Sequence, residues 1–237
     1  MASKDITPNQ EKHNIRLSKA LSWLLRHHLE LTYEHLEEYE VEDAKISGFV
    51  NCSAILCLPR FQGYSIDDIK KVCELNTKQR FCIRDHPQKA NTLQIRANQG
   101  HSISTVNPGL RKIEDPSEIP QVIHGTFKRF WPAILSSGGL NRMNRTHIHF
   151  TRCLPNENDK KVISGMRQDC NVFIYINSER AMEAGYEFYE SANGVILCSG
   201  DEKGTLSTSY FEKVVPRNLM KDISKPQEET VIADFRT

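Results

Sequence analysis

The strongest constraint on the fold is an apolar stripe at helical spacing near the N-terminus. Within residues 17–28, apolar side chains recur three and four positions apart, which predicts an amphipathic helix that packs on one face. The stripe consists of Leu17, Ala20, Leu21, Leu24 and Leu25, with His28 on the same face. Arg26 and His27 interrupt it close to the predicted helix end. They either complement the helix dipole, or Arg26 donates hydrogen bonds to a phosphate while His27 beside it transfers a proton.

A second helix and a β-hairpin follow. Ser65 and Asp68 have the spacing of a capping box and predict a helix that begins near residue 66. Residues 78–85 and 92–99 alternate apolar and polar side chains across a polar turn, as two paired strands do. Between the helices we predict a short strand at 49–50 and a short helix at 53–58 that Pro59 ends. Helices followed by a hairpin fit a winged-helix lobe over residues 15–103.

The chain then changes character. Residues 104–120 hold three prolines and one glycine among polar residues, which predicts a linker. Beyond it, strands are predicted within 121–127, 146–150, 171–177, 193–199 and 210–216, with short helices between some of them. A mostly β lobe over 121–217 follows, so the fold class is α+β. We expect a flexible lead at 1–14 and a polar, loosely ordered tail at 218–237.

The overall charge is close to neutral, which argues against a nucleic-acid binder that is basic over its whole surface. With 31 Lys and Arg against 30 Asp and Glu, no basic field covers the whole chain, so any polyanion site is confined to one region. The acidic run at 30–43 is expected to be a solvated face or a loop. Seven scattered cysteines lack the spacing of a zinc site or a disulfide framework, so we expect reduced thiols and no metal.

Apolar runs indicate the cellular setting. No stretch approaches the roughly 20 apolar residues of a membrane span, and the first residues are polar. We therefore expect no membrane association and a monomer in the cytoplasm or nucleus. Phe127, Phe130 and Trp131 share helical spacing with the apolar residues that follow them, which favours the core over a base-stacking surface.

Several short segments repeat the pairing of arginine or histidine with small and hydroxyl residues. Arg80 begins a predicted strand, Arg145 precedes one, and residues 96–102 and 122–127 set glycine, histidine and a hydroxyl at strand ends. Such groups can bind a sugar and a diphosphate. Each segment alone is weak, because most surface arginines serve solubility. Neither GxGxxG nor a Walker loop occurs, which disfavours a Rossmann or P-loop enzyme.

Taken in order, these motifs resemble those of the RNA 2′-phosphotransferase family. The segments are LSKALSWLLRHH, KQRF, QGHS, HGT, RTHIHF, SGMR and SANGVIL, spread over about residues 15–215. The resemblance implies a winged-helix lobe that handles the RNA phosphate and an ADP-ribosyltransferase-like lobe that binds NAD as co-substrate. It implies as partner an RNA, usually a tRNA, that carries a 2′-phosphate at its splice junction.

The same resemblance implies a reaction in two steps. The RNA 2′-phosphate attacks the ribose carbon that bears nicotinamide, so that nicotinamide leaves and ADP-ribose becomes attached to the RNA phosphate. The ribose 2″-hydroxyl then attacks that phosphate. The products are 2′-hydroxyl RNA and ADP-ribose 1″,2″-cyclic phosphate.

Carried over by motif, the resemblance implies two sets of site residues. The catalytic set is Arg26, His27, Arg80 and Arg145. The NAD set is His101, Ser102, His124, Gly125, Thr126, His149, Ser164, Gly165, Arg167 and Val195. Arginine donors suit a phosphodiester that gathers charge, and His27 suits a general acid. Arg96 is assigned to neither set.

The sequence departs from the wider pattern at three positions. His28 stands where a small residue often follows the Arg-His pair, His149 stands where related ADP-ribosyltransferases often have tyrosine, and Val195 stands where many have a catalytic glutamate. An attacking phosphate is already an anion, so the missing glutamate agrees with phosphate as the nucleophile.

Two other functions stay open at this point. An ADP-ribosyltransferase that caps phosphorylated nucleic-acid ends or modifies protein would retain ADP-ribose on its substrate and release no cyclic phosphate. A non-catalytic winged-helix binder would bind nucleic acid in a strongly salt-dependent manner without NAD.

Overall fold

The computed structural model describes residues 7–154 and 165–217 of the chain. The chain divides between Gly109 and Leu110 into two compact units, called here unit 1 and unit 2. Both combine helices with antiparallel strands, so the α+β prediction is confirmed. Ser164 and the predicted tail at 218–237 lie outside the described residues.

Unit 1 is built from four helices and a small sheet. The elements are α1 (Pro8–His27), α2 (Glu38–Ser47), β1 (Val50–Asn51), α3 (Cys52–Cys57), α4 (Ile66–Leu75), β2 (Phe81–Asp85) and β3 (Leu93–Ala97), with 3-10 turns at Leu29–His35 and Pro59–Phe61. The sheet order is β1-β3-β2, and both pairings are antiparallel. The predicted hairpin and the capping box of Ser65 and Asp68 are confirmed.

Helix α1 forms one wall of the unit 1 core. Its Leu17, Leu21, Leu24 and Leu25 are fully buried, as the apolar stripe predicts. Burying one leucine contributes roughly 1.5 to 3 kcal/mol, so this face alone holds the helix firmly in place. The helix starts at Pro8, where Thr7 accepts a hydrogen bond from the amide of Gln10, and it therefore includes residues 8–14 of the expected lead.

The acidic run at 30–43 is largely helical, and its acidic side chains other than Glu40 are exposed or half-buried, which agrees with the expected solvated face. Glu40 on α2 is only 3% exposed, and its carboxylate accepts hydrogen bonds from Lys89 at 2.7 Å and Asn51 at 2.9 Å. His86 Nε2 lies 3.1 Å from the same carboxylate. Since Lys89 and His86 belong to the turn between β2 and β3, the buried carboxylate attaches α2 to the hairpin.

The charge state of Glu40 follows from these contacts. Burial by itself would raise the pKa of the carboxyl, but hydrogen bonds from Lys89, the Glu37 amide and Asn51 outweigh burial and lower the pKa to about 2. The nearby His86 Nδ1 accepts the backbone amides of Gln88 and Lys89, so its Nε2 carries the proton that faces Glu40.

Unit 2 consists mainly of short strands. The elements are β4 (Arg111–Ile113), β5 (Val122–Thr126), α5 (Trp131–Ser136), β6 (Gly139–Asn141), β7 (Ile148–Phe150), β8 (Val172–Ile176), α6 (Ser178–Glu183), β9 (Phe188–Glu190), β10 (Ile196–Cys198), β11 (Thr205–Ser207) and β12 (Phe211–Pro216). They form antiparallel sheets with the orders β4-β9-β10-β7, β12-β8-β5 and β11-β6. The predicted strands are present; β4, β6, β9 and β11 were not predicted, and β4 lies in the expected linker.

The aromatic residues at and just before the start of α5 divide between core and surface. Trp131 is buried, and Phe127 is partly buried against Met166 and its neighbours, as predicted. Phe130 is 45% exposed, so its core assignment is wrong. It lies in a 3-10 turn before α5, which rotates it away from the buried face of the helix.

No helix among the described residues is long and apolar enough to cross a membrane.

The Glu40 contacts predict a specific loss of stability. Because Glu40→Gln removes the buried negative charge that Lys89 and His86 face and replaces one accepting oxygen by a donor, we expect the free energy of unfolding to fall by about 2 to 3 kcal/mol. Urea unfolding at neutral pH measures the change. Glu38→Gln, at an exposed position of the same helix, is the matched control and should change stability little.

The same contacts predict a pH dependence. A carboxyl whose pKa is lowered on folding stabilises the folded state above its unfolded value, here 4.5, and that contribution is lost as the pH falls toward 2. The difference in stability between the parent and Glu40→Gln should therefore shrink over this acid range. A difference that stays constant down to pH 2 would contradict the assignment.

Candidate active site

One short segment organises the predicted catalytic residues of unit 1. The Asn98–Ser102 segment leaves the end of β3 and forms backbone hydrogen bonds at both of its ends. The amide of Asn98 donates to the carbonyl of Arg80 at 2.9 Å, and the amide of Ser102 donates to the carbonyl of Arg26 at 2.9 Å. The end of α1 and the start of β2, which are far apart in sequence, are therefore held by the same five residues.

Gly100 lies in the middle of this segment, against the Arg26 guanidinium. Its φ of +88° is in the left-handed region that glycine adopts without strain. A Cβ atom at this position would lie 3.3 Å from both Nε and Cζ of Arg26. The missing side chain therefore lets the backbone approach the arginine closely and limits the orientations that its guanidinium can adopt.

His27 and Ser102 are in direct contact. The Nδ1 atom of His27 lies 3.0 Å from the Ser102 hydroxyl, which also lies 3.4 Å from the carbonyl oxygen of Arg26. His101, between Gly100 and Ser102, is 1% exposed, and its ring lies beside Gly48 inside unit 1. The QGHS motif therefore places one side chain in the core and the next against the predicted general acid.

Arg80 is held at the start of β2 by the end of α4. Asn76, the C-cap residue of α4, accepts hydrogen bonds from the Arg80 amide at 3.4 Å and from its Nη1 at 3.3 Å. Burial lowers the pKa of the guanidinium. An arginine stays charged at neutral pH in spite of such a shift, so Arg80 is a partly desolvated cation with donors left for an anion.

In unit 2 the predicted NAD residues collect where β5 meets β7. Ile123 and Thr151 exchange two backbone hydrogen bonds of 2.9 Å and join the two strands at this point. His124 directly follows Ile123, His149 lies two residues before Thr151, and the Nδ1 of His124 lies 2.9 Å from the His149 carbonyl oxygen. Two residues that the sequence separates by a helix, a strand and a loop are thus neighbours.

This contact determines the protonation of His124. A carbonyl oxygen only accepts, so Nδ1 carries the proton and the neutral ring presents Nε2 as an acceptor. Burial lowers the pKa of His124, against a smaller opposing effect of the His149 carbonyl, which favours the neutral ring. A neutral histidine with a bare Nε2 suits the hydroxyl of a ribose.

Gly125 and Gly165 allow the segment around residues 165–166 to pack closely on β5 and on the end of β7. A Cβ on Gly125 would lie 2.7 Å from Met166 Sδ, and a Cβ on Gly165 would lie 2.6 Å from the Phe150 carbonyl. The fully buried Val195 is close to the same position, since its Cγ1 would lie 3.1 Å from that Gly165 Cβ. These close approaches require glycine at both positions. Thr126, at the end of β5, is also buried.

Arg145 lies within electrostatic reach of Arg167. It is in the turn before β7, and its carbonyl accepts a hydrogen bond from Arg142 at 2.9 Å. Although the residue is exposed, desolvation lowers the pKa of its guanidinium, and the positive charge of Arg167 lowers it further. The repulsion between the two positive charges would be relieved by a bound anion.

The comparison with known proteins identifies the chain's relatives. The family model described as RNA 2′-phosphotransferase, Tpt1 / KptA family, matches residues 12–200. The chain belongs to this family.

Individual relatives match over most of their length. The tRNA 2′-phosphotransferase 1 of Danio rerio is 42% identical over 207 residues, 86% of this chain and 87% of that protein. The protein of the same name from Mus musculus is 41% identical over 211 residues, 88% of this chain and 79% of its own. The tRNA 2′-phosphotransferase of Saccharomyces cerevisiae is 32% identical over 223 residues, 91% of this chain and 90% of its own.

Each described member of the two predicted sets now has a place within one unit. In unit 1, Arg26, His27 and Arg80 each contact the Asn98–Ser102 segment. In unit 2, the charge of Arg167 acts on Arg145, and the NAD candidates His124, Gly125, Thr126, His149, Gly165 and Val195 lie on β5, β7 and the segments packed against them; the other two NAD candidates, His101 and Ser102, lie in unit 1. Ser164 lies outside the described residues. Within residues 7–154 and 165–217, no group of three or more His, Cys, Asp or Glu side chains is arranged to hold a metal ion.

The sequence reasoning missed the residues that position the arginines. Asn76 orients Arg80, and Asn98 attaches the segment to the backbone at Gln79 and Arg80 through bonds of 2.7 and 2.9 Å. An asparagine directly after a helix and another directly after a strand were the available signals. Arg96 instead stacks over the Phe49 ring at 4.6 Å, which agrees with its omission from both sets.

The Gly100 geometry predicts an effect on catalysis beyond backbone strain. Gly100→Ala should reduce 2′-phosphotransferase activity at least about tenfold, because the new methyl group displaces the Arg26 guanidinium from its working position. Steady-state kinetics measures the loss. Gly63→Ala is the matched control, since Gly63 has a similar φ of +84° and a Cβ there would meet no atom within 4 Å. Equal losses in the two variants would contradict the assignment.

Proposed function

We propose that this chain transfers the splice-junction 2′-phosphate of a tRNA to NAD, giving 2′-hydroxyl RNA, nicotinamide and ADP-ribose 1″,2″-cyclic phosphate. The observation that carries the proposal is that Arg26, His27 and Arg80 all contact the Asn98–Ser102 segment, in a member of the RNA 2′-phosphotransferase family. Two cations and a proton-transfer group attached to one segment suit a phosphate ester.

The two units take different parts of the substrate pair. The order of helices followed by a β-hairpin supports a winged-helix lobe that receives the RNA phosphate in unit 1. The short antiparallel sheets and the junction of β5 and β7 support an ADP-ribosyltransferase-like, NAD-binding lobe in unit 2. We also infer that the chain acts as a monomer in the cytoplasm or nucleus.

In the first step, unit 2 orients NAD for attack by the RNA phosphate. His124 accepts a hydrogen bond from a ribose hydroxyl at Nε2, and Arg167 is available to the diphosphate. A phosphate oxygen forms a bond to the ribose carbon, while the bond to nicotinamide breaks and its electron pair leaves with nicotinamide. The apolar Val195 suffices at its position because an anionic nucleophile requires no base.

In the second step, the arginines stabilise the charge that gathers on the phosphate. The ribose 2″-oxygen forms a bond to phosphorus and releases its proton to water, while the bond from phosphorus to the RNA 2′-oxygen breaks. His27 gives its Nε2 proton to that departing oxygen. Arg26 and Arg80 donate to the non-bridging oxygens, where electrostatic stabilisation is most effective, and Arg145 is proposed as a further catalytic arginine on the strength of its family motif.

Alanine variants of the four catalytic residues test this function. Arg26→Ala, His27→Ala, Arg80→Ala and Arg145→Ala should each lower turnover by roughly 100-fold or more, since each removes a donor to the transition state. Incubation with NAD and a 2′-phosphorylated oligonucleotide, followed by product separation, measures the loss. At least one variant should accumulate the ADP-ribosylated RNA, because the second step depends most on these groups.

Controls make the outcome decisive. Arg16→Ala removes an exposed arginine from the same helix as Arg26 and should leave turnover unchanged. No dephosphorylated RNA from the parent protein at saturating NAD would sink the proposal. Retention of ADP-ribose on a terminally phosphorylated substrate, with no cyclic product, would instead identify an end-capping ADP-ribosyltransferase.

The protonation state of His124 predicts how NAD binding depends on pH. The neutral ring binds, and burial lowers its pKa below the ordinary 6.5, so the affinity for NAD should stay constant as the pH falls through 6.5 and weaken only below that value. Calorimetric titration with NAD at pH values above and below 6.5 measures this affinity. His124→Asn should bind more weakly without the acid-dependent loss, and a parent midpoint at or above pH 6.5 would contradict the assignment.

A further inference from the structure

Ser102 touches both members of the Arg-His pair through one hydroxyl group. Its Oγ lies 3.0 Å from His27 Nδ1 and 3.4 Å from the Arg26 carbonyl oxygen, and its amide donates to that same carbonyl at 2.9 Å. The backbone bond fixes the position of Ser102, so the hydroxyl reaches the imidazole from a defined direction. Ser102 is solvent-exposed, so it does not pack in the core, and any role that it has depends on these contacts.

The single hydroxyl proton decides which imidazole nitrogen donates. The Arg26 carbonyl only accepts, so both side-chain contacts are satisfied together when the hydroxyl donates to the carbonyl and accepts from His27 Nδ1–H. The opposite arrangement, in which the hydroxyl donates to Nδ1, gives up the contact with the carbonyl. The protonated ring always carries hydrogen on Nδ1, so only the first arrangement suits both protonation states of His27.

We propose that Ser102 is a positioning residue that keeps the proton on His27 Nδ1 and so makes Nε2 the nitrogen that delivers a proton to the leaving RNA 2′-oxygen. The inference rests on the proposed function and deepens it. As the bond from phosphorus to the 2′-oxygen breaks, its electron pair stays on that oxygen and takes the Nε2 proton. His27 then holds the neutral Nδ1–H form, which the Ser102 hydroxyl stabilises without any rotation of the ring.

This role differs from a contact with NAD in the step that it affects. A contact with NAD acts on binding and on the first step, which expels nicotinamide. A residue that positions the general acid acts on the second step, because only there does an RNA oxygen require a proton. The two roles therefore predict opposite effects on the ADP-ribosylated RNA intermediate.

Kinetics of Ser102 variants separate the two roles. Ser102→Ala should slow the second step by about tenfold, part of the 10²–10⁴ that a general acid supplies, and should accumulate the intermediate. The KM for NAD should change by less than about twofold. Ser102→Thr, which keeps a hydroxyl, should recover most of the rate, and Ser104→Ala, at an exposed position of the same loop, should match the parent.

A double variant tests whether Ser102 acts through His27. In the His27→Ala background, Ser102→Ala should cost less than about a further twofold, because the ring that it orients is gone. Independent, multiplicative losses would overturn the proposal. A raised KM for NAD with no accumulated intermediate would overturn it as well and assign Ser102 to NAD.

Nuclear magnetic resonance tests the geometry without any activity. At a pH of about 9, where histidines are neutral, the ¹⁵N shifts of His27 in the parent should show hydrogen on Nδ1, and Ser102→Ala should move the proton toward Nε2. Hydrogen on Nε2 in the parent would overturn the inference. If the parent lacks turnover, the proposed function fails, while these shifts still decide the role of Ser102.

Discussion

The backbone hydrogen bonds at the two ends of the Asn98–Ser102 segment are the constraint on which the unit 1 site depends. One end is held by the carbonyl of Arg80 and the other by the carbonyl of Arg26, so the residues whose side chains are proposed to bind phosphate also anchor the backbone between them. The same five residues therefore contact the backbone of both arginines. The left-handed Gly100 allows the segment to turn this closely past the Arg26 side chain.

In unit 2 the candidate residues are positioned by a contact between two strands rather than by a loop segment. A pair of backbone hydrogen bonds between Ile123 and Thr151 brings β5 and β7 together, and the carbonyl of His149 then determines the tautomer of His124. In both units an oxygen atom lies within hydrogen-bond distance of a histidine Nδ1. The proposed roles differ because burial lowers the pKa of His124 and favours its neutral form, whereas His27 directly follows Arg26, a proposed phosphate-binding residue.

Electrostatics inside unit 1 also explain a segment with no evident role in catalysis. The acidic run at 30–43 supplies Glu40, whose buried carboxylate holds Lys89 and His86 of the hairpin turn. The hairpin carries Arg80 at the start of its first strand, so this network supports the strand on which a proposed catalytic residue lies. A charge that is satisfied by several donors is tolerated in the interior, whereas the same charge without them would not be.

The sequence alone determined the elements and the candidate residues. Leu17, Leu21 and Leu24 predicted the buried face of α1 because helical periodicity is a local property, and the ordered motifs indicated the family. Only the tertiary structure decided that Ser102 meets His27, that Glu40 is buried and that Phe130 is exposed. Each of these depends on contacts between residues distant in sequence or on a turn that rotates a side chain, and neither is encoded in local spacing.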